Sequence, residues 1–176
     1  AKPAAAFTWQ LMAARSYLAL GQANPAAALY QQLQKQAGNP VQQAQLQLLQ
    51  AHLLLAQGNA NQALILLEGK PEVALDADTQ KDWYRQRVVL QLDINNKFGA
   101  AKSLTLLEPY LAKNELATNH QQIWSLLKSM TPSTLQALEE APAPDVTTGW
   151  LRLAALVNEF GAQPSQLARQ LAGWKQ

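Results

Sequence analysis

The strongest constraint on this chain is a phrase of helix punctuation that returns. Gly21-Gln22-Ala23-Asn24-Pro25-Ala26 lines up with Gly58-Asn59-Ala60-Asn61-Gln62-Ala63 and then with Asn96-Lys97-Phe98-Gly99-Ala100-Ala101, at offsets of 37 and 38 residues. In each phrase a residue that tolerates left-handed backbone ends one helix, and a small or capping residue opens the next. A fixed period of roughly 20–50 residues marks a repeat architecture, in which each unit buries its apolar face against its neighbours.

Between the phrases the apolar spacing is helical. Phe7, Leu11, Ala14 and Leu18 fall at i, i+4, i+7 and i+11, on one face of a helix. The same reading predicts helices over 9–20, from Pro25 with Asn24 as cap, over 40–57 with Asn39 as cap, and over 61–67, closed by Gly69 and Pro71. Further helices follow over 79–95 behind Asp78, 98–111 and 115–130. Thr131-Pro132 opens a short one that ends at Ala141-Pro142-Ala143-Pro144, and 147–160 and 165–174 complete about ten. No segment alternates with strand period between turn residues. Ala, Leu and Gln, all at home in helices, supply 85 of the 176 residues.

At the inter-helix turns these residues resemble the tetratricopeptide repeat. The small residue at the turn and the Ala five positions later both match its pattern. Tyr17, Leu54 and Leu92 take the large first-helix position, and Tyr30 and Leu67 the second-helix position, where the third repeat offers Thr105. The period exceeds the usual one of about 34, and the Trp-Leu-Gly signature is mostly lost. The reading is therefore an all-α fold, a tetratricopeptide-like helical-hairpin solenoid. Degenerate repeats occupy 1–112, and C-terminal helices over 113–176 pack on them as one continuous domain.

Charge narrows the function classes. The chain carries 14 basic and 12 acidic residues, and its 15% charged content is well under the common value of about 25%. No Lys/Arg cluster forms a phosphate-neutralising stripe, so nucleic acid is not an expected partner. The absence of Cys excludes thiolate catalysis and thiolate zinc sites. Apolar runs such as those around 53–56 and 64–67 are far short of a membrane span. The opening Ala1-Lys2-Pro3, without Met, reads as a processed or trimmed fragment.

Catalytic signals are missing. His52 and His120 have no His, Cys or carboxylate at i+3 or i+4 for a helical metal pair, so no metal and no cofactor is expected. Ser125-Leu126-Leu127-Lys128 matches Ser-x-x-Lys literally, without the companion boxes that give that motif meaning. Glu139 and Glu140 adjoin, so they diverge on a helix and cannot flank a substrate. The eight glycines are scattered at helix ends and form no phosphate loop. No catalytic residue is assigned, and the chain reads as non-enzymatic.

Five tryptophans remain: Trp9, Trp83, Trp124, Trp150 and Trp174. Helical Leu and Ile spacing around each makes core packing the default. On the repeat alignment Trp83 falls on the first-helix face that lines a solenoid's inner groove, together with Arg15, His52, Gln86 and Asp93. These five form the candidate partner-binding groove, suited to a peptide or a protein surface.

The last third is more particular. His120-Gln121-Gln122-Ile123-Trp124-Ser125-Leu126-Leu127-Lys128-Ser129-Met130 is followed by Gly149-Trp150-Leu151-Arg152-Leu153, and the chain closes on Gln163-Pro164-Ser165-Gln166-Leu167 and Gly173-Trp174-Lys175. In this order the segments resemble the N-terminal domain of the LpoA family, outer-membrane lipoproteins that activate a class A penicillin-binding protein. Trp124, Trp150 and Trp174 carry the match as structural anchors.

The resemblance implies a non-catalytic regulator of peptidoglycan synthesis on the periplasmic face of the outer membrane. It acts as a spacer, as a protein-interaction module, or as both. Its partners would be the synthase and the peptidoglycan itself. The resemblance also implies a lipid-bearing Cys upstream of Ala1, as the only link to the membrane, and a binding-protein-like domain downstream of Gln176. Two alternatives stay open: the superhelical non-catalytic domain of a lytic transglycosylase, and a stand-alone tetratricopeptide adaptor.

Overall fold

In a computed structural model of the chain, residues 3–68, 74–139 and 147–174 are described. They form ten α-helices and no strand: α1 (Pro3–Ala19), α2 (Ala23–Gln34), α3 (Pro40–Ala56), α4 (Ala60–Leu66), α5 (Ala77–Asp93), α6 (Lys97–Leu107), α7 (Lys113–Lys128), α8 (Pro132–Glu139), α9 (Thr148–Phe160) and α10 (Pro164–Trp174). A single 3-10 turn, Glu108–Tyr110, follows α6. The all-α reading holds. Helix α1 starts earlier than read, because Pro3 suits a first turn and Ala4, Ala5 and Ala6 are strong helix formers.

The repeat is visible in backbone geometry. Gly21, Gly58 and Asn95 all have positive φ, at 71°, 78° and 57°. Each is followed by the same pair of bonds. Gly21 N–H donates to Leu18 and Gln22 N–H to Tyr17; Gly58 donates to Leu55 and Asn59 to Leu54; Asn95 donates to Leu92 and Asn96 to Gln91. These bonds satisfy the last carbonyls of α1, α3 and α5, which have no partner within their helices. Every equivalent donor and acceptor is 37 residues from the next.

The third phrase therefore begins at Asn95, not Asn96, and the 38-residue offset is corrected to 37. In the corrected register Ala26, Ala63 and Ala100 are equivalent and fully buried. Leu104, not Thr105, then stands with Tyr30 and Leu67, and all three are buried.

Helix starts follow local chemistry, with two corrections. Asn39 caps α3 as read, its Oδ1 accepting from Gln42 N–H at 2.9 Å, with Pro40 in the first turn. Helix α5 is capped by Asp76 rather than Asp78: Asp76 accepts from Thr79 N–H at 2.9 Å and from Thr79 Oγ1 at 2.7 Å. These bonds favour the charged carboxylate and hold its pKa below the ordinary value. Helix α2 begins at Ala23 behind Gln22, so Asn24 and Pro25 sit inside the first turn and Asn24 is not the cap. The expected stops at Gly69, Pro71 and 141–144 lie outside the described residues.

The chain divides into two compact units, Ala1–Asn96 and Lys97–Gln176. The sequence reading grouped 97–112 with the repeats; in the structure α6 belongs with the helices that follow it. In the first unit α1 packs on α2 and α3, and α3 on α4 and α5, so successive first helices are neighbours as in a stacked hairpin array.

Helix α3 is covered on both sides. Leu46, Leu49 and Leu53 pack against Phe7, Leu11, Ala14, Ala26, Tyr30 and Leu33. Ala44, Leu48 and Ala51 pack against Ala60, Ala63, Leu67, Trp83 and Leu90. Leu33, Leu48 and Leu90 are fully buried, and truncating any of them to Ala costs about 2–5 kcal/mol.

In the second unit α7 packs on α6 and α9, and α9 on α8 and α10. Ile123, Leu127, Leu135, Leu151 and Ala154 are buried there. Asn119 Nδ2 donates to the Leu104 carbonyl at 3.0 Å inside this unit.

Candidate functional site

Equivalent residues of the first helices build one cleft. Arg15 on α1, His52 on α3 and Val89 on α5 are spaced 37 residues apart, as are Leu18 and Leu55, and Ala19 and Ala56. All of them, with Asp82, Arg85 and Gln86, line a cleft of about 520 Å³ on the first unit. Asp82, Gln86 and Val89 share a face of α5 at i, i+4 and i+7. The Ala pair keeps the cleft open where larger side chains would fill it.

The polar residues of the cleft are linked across α3. Arg15 Nη1 on α1 meets Asp82 Oδ2 on α5 at 3.0 Å, with the two side chains 33% and 41% exposed. His52 sits between the two helices, half-buried. Burial pushes its imidazole pKa below the ordinary 6.5, the positive Arg15 adds to the shift, and Asp82 opposes it. Gln86 is only 6% exposed. It and the Leu48 backbone lie within hydrogen-bonding reach of His52 and oppose the shift too, while Gln86 Nε2 and Arg15 Nε are buried without a hydrogen-bond partner.

Of the five residues read as a groove, the structure brings together Arg15, His52 and Gln86. Trp83 is not among them. It is 2% exposed and packs in the core beside Leu48, Leu67 and Leu90. The cause is the slip in register. One residue on an α-helix is a rotation of about 100°. In the 37-residue frame Trp83 is equivalent to Leu46, which faces the preceding hairpin. Asp93 is exposed at the end of α5, outside the cleft. The reading missed Asp82, Arg85 and Val89, although an offset of 37 from His52 leads straight to Val89.

The tryptophan anchors of the second unit are also corrected. Trp124 and Trp150 are half-buried, while their neighbours Ile123 and Leu151 take the buried positions. The Trp150 ring lies 5.3 Å from that of His120, tilted by 53°. His120 Nε2 in turn lies 3.2 Å from Glu108 Oε1. The Trp174 side chain and the Glu139-Glu140 pair lie outside the described side chains. Ser125 and Lys128 are both exposed on α7. Among the described residues no three His, Cys, Asp or Glu side chains gather as metal ligands. No described helix is long and apolar enough to cross a membrane.

An array of helix pairs with a mixed polar and apolar cleft defines a helical-repeat domain. The family model "LppC putative lipoprotein" matches residues 1–176, and the chain belongs to this family. It is 32% identical over 166 residues to the penicillin-binding protein activator LpoA of Vibrio antiquarius, and 30% identical over 166 residues to that of Vibrio vulnificus. In both comparisons 94% of this chain is covered but only 28% of the relative, so the chain spans under a third of their length.

Among solved structures, the amino-terminal domain of E. coli LpoA matches with a TM-score of 0.75 at 24% identity, covering 96% of this chain and 75% of that one. The N-terminal domain from Haemophilus influenzae matches with a TM-score of 0.67 at 22% identity, covering 96% and 78%. At these identities the structures speak for the fold.

Proposed function

We propose that this chain is the N-terminal helical part of a lipoprotein activator of a class A penicillin-binding protein, on the periplasmic face of the outer membrane. It is a non-enzymatic regulator of peptidoglycan synthesis, and its part is to contribute an interaction surface and to position the rest of the protein. The observation that carries this reading is the match, along 94% of the chain and at 32% identity, to a protein named for that activity. The cleft of the first unit supports the interaction role, since it exposes polar groups of three successive repeats at one place. Lipid attachment is supported by the family description, and contact with the peptidoglycan mesh goes with the same setting.

The test compares the full-length protein with a version lacking residues 1–176, in cells with an intact envelope. Synthase stimulation is expected to fall without this part, and equal stimulation by both would defeat the reading. Release of soluble fragments from purified sacculi by the 176-residue chain alone would overturn the non-enzymatic assignment and favour a transglycosylase domain.

A further inference from the structure

We propose that His120 is an acid-operated clasp in the second unit. On taking up a proton it binds Glu108 and the Trp150 ring together, and so fastens the 3-10 turn, α7 and α9 to one another. The inference goes beyond the activator reading and rests on the geometry of this unit alone.

Three segments meet at this one side chain. His120 on α7 has its Nε2 3.2 Å from Glu108 Oε1, in the turn that follows α6. Its ring lies 5.3 Å from that of Trp150 on α9, tilted by 53°. Glu108 Oε1 is buried and accepts no hydrogen bond. A buried acceptor left in that state costs free energy, and a positive charge beside it answers that cost. The same charge falls within the distance of about 6 Å at which a cation is attracted to an indole face. A neutral imidazole offers a weaker bond to the carboxylate and no such attraction to the ring. One proton therefore acts on two contacts at once. Histidine is the side chain that takes up charge between about pH 8 and 5. His120 keeps 44% of its side-chain surface in water, where protons exchange freely.

The other charges on these elements are placed elsewhere. On α6, Lys97 donates to Ser129, nine residues beyond His120, and Lys102 is exposed, six residues before Glu108. On α7, Glu115 accepts from the Ala112 N–H at 2.8 Å, and Lys113 and Lys128 are exposed, about two turns from His120. The positions one turn either side of His120 are Leu116, Ala117, Ile123 and Trp124, all uncharged. On α9, Arg152 is exposed about 200° round the helix from Trp150, and Glu159 is more than two turns further along. The other titratable group of the turn is the Tyr110 phenol. Among the described residues, Glu108 is the charge that faces His120.

The test reads two signals from the 176-residue chain between pH 8 and 5. An imidazolium quenches an indole that it touches. The emission of Trp150, taken as the difference between the parent and Trp150→Phe, is expected to fall on acidification. The fall should vanish in His120→Gln. The second signal is the coupling of Glu108 to His120, from a cycle of Glu108→Gln and His120→Gln unfolded in urea. The pair is partly exposed, so a coupling of about two- to fivefold in the unfolding constant is expected at pH 5, and near onefold at pH 8. His52 responds to acid in the opposite sense, but it is present in all four members of the cycle and cancels. The cycle leaves Trp150 untouched, so it stands even where Trp150→Phe fails to fold.

Equal coupling at both pH values would overturn the proposal, since the proton would then change nothing. So would acid quenching of Trp150 that persists in His120→Gln. Coupling without quenching would overturn it as well, because α9 would lie outside the clasp.

Discussion

Arg15 and Asp82 are 67 positions apart in the chain and meet at 3.0 Å, joining the first helix of the first repeat to the first helix of the third. Both side chains keep a third or more of their surface in water, so solvent screens the pair. A double-mutant cycle with Arg15→Ala and Asp82→Ala is expected to give a coupling of about 0.2–1 kcal/mol. High salt should reduce it. A coupling of several kcal/mol would mean that the pair is far drier than described.

Trp9 and Trp83 occupy equivalent positions two repeats apart, and their exposures are 69% and 2%. Trp83→Ala should cost about 3–5 kcal/mol in chemical denaturation. Trp9→Ala should stay within about 0.5 kcal/mol. Equal costs would refute the burial pattern.

The three left-handed helix stops make a separate test of the 37-residue register. Gly58→Ala meets nothing within 4 Å, so any loss comes from its φ of 78° and should be about 1–2 kcal/mol. Asn95→Ala should lose about 1 kcal/mol for the same reason, whereas Asn95→Gly should hold or gain stability. A neutral Asn95→Ala would return the third stop to Asn96.

His52 sets a pH dependence whose sign follows from burial. Its folded pKa is below 6.5, so near neutral pH the unfolded chain binds more protons than the folded one. The stability it contributes is complete above about pH 6.5 and is lost as the pH falls from there through the folded pKa. The Tm of the parent chain should drop across that window, and His52→Gln should flatten the drop. A parent Tm that rises on acidification from pH 7 to 5, through a change absent in His52→Gln, would reverse the assignment.

The helices themselves were legible in the chain. Apolar residues at helical spacing, the Asn39-Pro40 start and the Gly21 and Gly58 stops act within a few residues of backbone, so ten helices could be placed before any tertiary contact was known. Register across the repeats was less secure. Asn95 and Asn96 are adjacent and of one type, and only the bonds from Asn95 to Leu92 and from Asn96 to Gln91 choose between them. That single residue turned Trp83 away from the groove and brought Val89 in.

Burial of the tryptophans was decided at the tertiary level alone. Trp9 and Trp83 have the same side chain at the same repeat position. Trp83 is enclosed by α3, α4 and α5, while the equivalent surface of α1 is open to solvent. Local sequence determines which face a residue takes on its own helix; whether a second helix covers that face depends on the stacking of distant segments.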